Sequence, residues 1–113
     1  MSRQNMSNIK HTSFGETLRK LREEAGMPLR ILASRLDIDQ STLSKIERNE
    51  RKASEDLIEK ISAVFKIGEK ELRVNLMSDI IAYKLRNEED SIDVLKVAEE
   101  KLVYLKTKKK RKK

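Results

Sequence analysis

The chain of 113 residues has no cysteine and no tryptophan, one proline, three glycines and one histidine, and aromatic side chains make up 4% of it. Without cysteine there is no disulfide framework, thiolate metal site or cysteine nucleophile, which fits a reducing, cytoplasmic setting. The one histidine, His11, sits in a polar stretch, so neither a Ser/His/Asp set nor a metal-ligand cluster is expected. Gly15, Gly26 and Gly68 are too far apart to form a phosphate-cradling loop. No apolar run approaches the roughly 18 residues of a membrane span, and the opening MSRQNMSNIKHTS lacks the apolar core of a signal peptide. The expectation is therefore no enzyme, no cofactor, no metal and no membrane partner. No second domain large enough to bind a small-molecule ligand is foreseen.

Charge is abundant. Charged side chains are 40% of the chain and the formal net charge is +7. Residues 1–53 carry 11 Lys+Arg against 7 Asp+Glu, residues 54–105 carry 8 against 12, and residues 106–113 carry 7 against none. The front half is modestly basic and the middle would repel a phosphate backbone. The last eight residues alone make the protein basic. With so few aromatics, the core must come from aliphatic side chains at helical spacing. No alternating strand pattern, hairpin signal or internal repeat occurs, so an all-α fold is expected.

Phe14, Leu18, Leu21 and Ala25 mark a first helix, with Ser13 and Glu16 forming a capping box and Gly26 ending it. Pro28 opens a second helix, in which Leu29, Leu32, Ala33 and Leu36 make one stripe. Asp37-Ile38-Asp39 leaves room only for a tight turn. Asp39 then caps a third helix, Gln40 to Arg48, that buries just Leu43 and Ile46, and Asn49 suits a left-handed ending. Ser54 caps a fourth helix carrying Leu57, Ile58, Ile61, Val64 and Phe65. A fifth starts near Glu69 and runs to Leu85 or Arg86, with Leu72, Leu76, Ile80 and Tyr83 on one side and Met77 and Ile81 widening it. After a polar break, Ser91 caps a last helix with a stripe of Ile92, Leu95, Ala98, Leu102 and Leu105. The expected organisation is a disordered arm (1–12), a helical domain (13–74), a helical extension that dimerises (75–105) and a disordered Lys/Arg tail (106–113).

Two short helices joined by a tight turn, the second showing a hydrogen-bonding face, have the properties of a helix-turn-helix. The run LRKLREEAGMPLRILASRLDIDQSTLSKIERNER carries this further. It resembles the Cro/repressor-like, or XRE-type, helix-turn-helix family over roughly residues 14–73: the LRKLREEAG run, Ala33, the LSKIER run and the following helix fall at the family's spacing. The resemblance implies a five-helix, lambda-repressor-like domain whose third helix enters the major groove of double-stranded DNA, and a homodimer on a palindromic operator. Two positions depart from the pattern. Leu29 stands where a phosphate-contacting Gln is usual, so that contact is not carried over, and Asp37 stands where Gly is usual.

The expected base-contacting residues are Gln40, Ser41, Thr42, Ser44 and Lys45. Gln bonds adenine bidentately, Ser and Thr bond either base class, and Lys reaches guanine. By spacing alone, such a face is equally a solvated surface. The starts of the second and third helices, with Arg30, Arg48, Arg51 and Lys52 as charged supports, are the expected phosphate contacts. The resemblance pairs Arg22 with Glu47 in a partly buried ion pair. Ile80, Tyr83, Leu95, Leu102 and Tyr104 are the expected dimer contacts. Two recognition helices would then lie about 34 Å apart, one turn of DNA. A tail from Lys106 would add non-specific affinity. The alternative is a protein-interaction module of the same fold, such as an antitoxin docking a toxin.

Overall fold

The computed structural model describes residues 12–111. Among them are six helices and no strand: α1 (Phe14–Glu24), α2 (Leu29–Leu36), α3 (Gln40–Glu47), α4 (Glu55–Phe65), α5 (Glu69–Leu85) and α6 (Ser91–Arg111). The N-terminal arm with His11, and Lys112 and Lys113, lie outside the described residues. The chain divides into two compact units, one ending at Ile80 and one beginning at Ile81.

The first unit is built on seven fully buried aliphatic side chains: Leu18, Leu32, Leu36, Leu43, Ile58, Ile61 and Leu72. Phe14, Ala33, Ile46, Ala53, Leu57 and Leu76 complete the cluster, and Leu29, Val64, Phe65 and Ile80 are among the side chains that pack against it. Every helix from α1 to α5 contributes. Each buried Leu or Ile is worth roughly 1.5–3 kcal/mol, which offsets the entropy of ordering eight-residue helices too short to stand alone.

Local chemistry sets the helix ends. Ser13 accepts from the Glu16 N–H and Glu16 accepts from the Ser13 N–H, a complete capping box. Gly26 takes φ +64° after α1. Pro28 is the N-cap of α2, one residue outside the helix, and its carbonyl accepts from the Ile31 and Leu32 N–H groups. Asp37, Asn49 and Lys66 all adopt the left-handed conformation that ends α2, α3 and α4. The Asn49 and Glu50 N–H groups return to the carbonyls of Ile46 and Lys45, closing the last turn of α3.

The compact unit extends six residues past the expected boundary at 74, because α5 is tied into it by polar side chains. Asp79 accepts from the Phe14 N–H at 2.7 Å, and buried Asn75 donates to the Thr17 hydroxyl at 3.2 Å. Leu76 and Ile80 of the same apolar stripe also reach the core, so these polar bonds add to a packing that continues past residue 74.

The second unit departs from expectation at both ends of α6. Ser91 is the first residue of the helix rather than its cap, and the Asp90 carbonyl accepts from the Val94 N–H. The helix also continues through Lys106 to Arg111, which corrects the expected disorder of that stretch. Lys and Arg are good helix formers, and cations are favoured in a last helical turn. The large apolar side chains of α6 are exposed, as are Met77, Ile81 and Tyr83 of α5.

Candidate nucleic-acid interface

Local contacts hold the α2–turn–α3 segment together. Asp37 turns the chain at φ +63°. Ile38 returns its N–H to the Ala33 carbonyl and packs on the core. Asp39 then caps α3 by accepting the Thr42 N–H at 2.9 Å. Hydrogen bonds from Thr42, side chain and then N–H, hold the Asp39 carboxyl below its ordinary pKa. Ser41 and the charge of Arg51 add to this.

Three residues seat the back of α3. Leu43 and Ile46 are buried in the core. Glu47, 7% exposed, accepts from Arg22 through both oxygens: Nε to Oε2 at 2.8 Å and Nη2 to Oε1 at 3.1 Å. The remaining Arg22 donor, Nη1, reaches the Met27 carbonyl at 3.0 Å. The structure thus brings Arg22 and Glu47 together, and both are turned away from the solvent face of α3.

The backbones of α1 and α3 also approach closely. A Cβ on Gly15 would lie 2.5 Å from the Ile46 carbonyl oxygen and 2.6 Å from that of Glu47. Asn49 bridges the same junction, accepting from the Gly15 N–H at 3.1 Å and donating to the Ser13 hydroxyl at 2.9 Å. Asn49 therefore fixes α3 against α1. The sequence signals only its left-handed backbone, because a bridge across 34 residues leaves no local pattern.

On the outward face, Gln40, Ser41 and Lys45 are exposed, while Thr42 and Ser44 are half-buried. They are not equally available. Thr42 serves the Asp39 cap, the Ser41 hydroxyl donates to the same Asp39 carboxylate at 3.5 Å, and Ser44 Oγ accepts from Arg48 Nη1. Arg48 is further engaged by Glu50 through two bonds of 3.1 Å, which hold the Glu50 carboxyl below its usual range. Arg30, Arg51 and Lys52 are exposed, and no ion pair within 4 Å involves them among the described residues. Leu29 packs against the core, an apolar use of the position where the family usually has Gln.

Of the expected dimer residues, Tyr83, Leu95, Leu102 and Tyr104 are exposed. Ile80 is half-buried against the core of the first unit, so only part of it is open to a partner. Among the described residues, no cluster of His, Cys, Asp or Glu could hold a metal ion, and no helix is long and apolar enough to cross a membrane.

No curated protein and no solved structure matches the chain significantly. Residues 18–72 match the model of a helix-turn-helix family, a span that runs from the middle of α1 into α5 and contains the whole α2–turn–α3 unit. With its all-helical core, capped turn and exposed polar α3, the segment 18–72 is a helix-turn-helix domain of the Cro/repressor-like, XRE type found in DNA-binding regulators.

Proposed function

We propose that this protein is a sequence-specific transcriptional repressor or controller that binds a palindromic operator as a homodimer, with α3 in the major groove. The observation that carries this reading is the division of α3. Its back is fixed by Leu43, Ile46 and the Arg22–Glu47 pair, while Gln40, Ser41 and Lys45 face solvent. A reading head needs a support that holds it in place, and Leu43, Ile46 and the Arg22–Glu47 pair supply one here.

Within that reading, Gln40 and Lys45 read base edges directly, and Ser41 does so by exchanging its long 3.5 Å bond to Asp39 for a base edge. Thr42 and Ser44 serve the cap and the Arg48 network first, and reach DNA only by leaving those partners. Arg30, Arg51 and Lys52 contact phosphates. Arg48 does so once Glu50 releases it. The first turn of α2, whose N-cap Pro28 makes no side-chain bond, offers backbone N–H groups to a further phosphate. The setting is the cytoplasm, where such a regulator meets its DNA.

The test begins by selecting bound sequences from a random DNA pool, which yields the operator and its half-site spacing. On that operator, Gln40→Ala should lose about 1–3 kcal/mol of binding and relax preference at one base pair. The reading fails if Gln40→Ala and Ser41→Ala both bind every selected site as the wild type does. A fold used only to dock another protein would select no sequence from the pool at physiological salt.

A further inference from the structure

The α6 helix is 21 residues long and leaves Ile92, Val94, Leu95, Val97, Leu102, Val103, Tyr104 and Leu105 exposed. The last of these, Leu105, is 57% exposed and Tyr104 64%. Soluble proteins rarely leave so continuous an apolar surface uncovered unless something docks on it, and a lone helix of this length gains little stability without a partner.

The charges along the same element say what covers it. Within α6, residues 91–100 contain Asp93, Glu99 and Glu100 against the single cation Lys96, a net of −2. Residues 101–111 contain five Lys and one Arg and no acid, a net of +6. The helix macrodipole favours acids at the start of a helix and bases at its end, but its effect fades within one turn. Glu99, Glu100 and Lys101 lie near the middle of α6, so the dipole does not account for a division that changes sign there.

A second copy of the same helix does account for it. We infer that α6 pairs with α6 of another copy of this chain in antiparallel orientation, each acidic half lying against the other's basic half across the shared apolar stripe. A parallel pair would set −2 against −2 and +6 against +6. The antiparallel pair is isologous, each copy offering the same patch to the other. Leu95, Ala98, Leu102 and Leu105, spaced three and four residues apart, form its seam. In this arrangement the basic end of α6 is neutralised by protein rather than by DNA. The inference rests on the homodimer proposed above and adds where the two copies meet and which way they run.

The full chain lacks cysteine, so Ser91→Cys introduces one site for a spin label. In an antiparallel dimer the two labels sit at opposite ends of the pair, more than about 25 Å apart at 1.5 Å per residue. In a parallel dimer they sit side by side, within about 15 Å. Sedimentation equilibrium on the same protein should show a dimer whose dissociation constant rises several-fold between low and high salt, since attraction between opposite charges is screened. Leu102→Asp, on a residue 53% exposed and outside the core of the first unit, should yield monomers.

A dimer with the short distance, or one that survives Leu102→Asp, overturns the antiparallel pairing and leaves the homodimer standing. A chain that stays monomeric at all concentrations, with or without the selected operator, overturns both. That outcome would also follow if α6 folded back on its own domain or were covered by a different protein.

Discussion

Two single residues decide how α3 is seated. Gly15 is required by space, since carbonyl oxygens of α3 stand 2.5 and 2.6 Å from where its Cβ would be, and backbone cannot step aside as a side chain can. Gly15→Ala should therefore destabilise the protein by about 2 kcal/mol or more in urea unfolding, despite the higher helix propensity of alanine. Glu47 is required by its partner. Glu47→Ala leaves the partly buried Arg22 guanidinium with only its bond to the Met27 carbonyl and should cost about 3 kcal/mol, whereas Arg22→Met with Glu47→Leu should cost much less, because the pair must repay its own desolvation. A double-mutant cycle measures the difference. If the double variant is as unstable as Glu47→Ala, the pair supplies net stability rather than orientation.

At the scale of the element, the start of α3 depends on the Asp39 carboxylate. Its folded pKa is lowered, chiefly by hydrogen bonds from Thr42. A carboxyl with a lowered folded pKa contributes stability that is fully present above its unfolded value, about 3.9. That contribution declines as pH falls through the folded value. Melting temperature should accordingly drop below about pH 4 partly through this cap. Asp39→Asn should keep most of the cap at neutral pH and remove its share of the acid sensitivity, and Asp39→Ala should lower the melting temperature at every pH. An Asn variant with the wild-type acid response would place that response in other carboxylates. The turn before α3 shows a second economy: Asp37 takes the left-handed conformation where family members usually have Gly, which Asp tolerates better than most residues.

Across the whole molecule, the distribution of charge outweighs its total. The net +7 is concentrated at the end of α6, while residues 54–105 are net negative. On the proposed reading, phosphate contact then falls to the few cations around α2 and α3. Each one that neutralises a phosphate contributes about 0.9 to the slope of log affinity against log salt. Arg51→Ala and Lys52→Ala should each lower that slope by about one and weaken all sequences alike, in contrast to Gln40→Ala. A salt slope unchanged by either would remove them from the interface.

The apolar spacings, caps and turn residues determine the number and order of the helices, the Ser13–Glu16 box, the Asp39 cap and the left-handed Asn49, because these depend on neighbours within about four residues. The LRKLREEAG and LSKIER runs place the domain in its family for the same reason: they encode one local unit. The tertiary structure alone decides what depends on distant residues meeting. Asn49 bridges α3 to Ser13 and Gly15, Asp79 and Asn75 draw α5 into the first unit, and the close approach of α1 and α3 makes Gly15 indispensable. It also separates polar residues that look alike in the sequence. Gln40 and Lys45 stand open, while Thr42, Ser44 and Arg48 already have partners within the fold, because a side chain's availability is set by what the fold brings within about 3 Å of it.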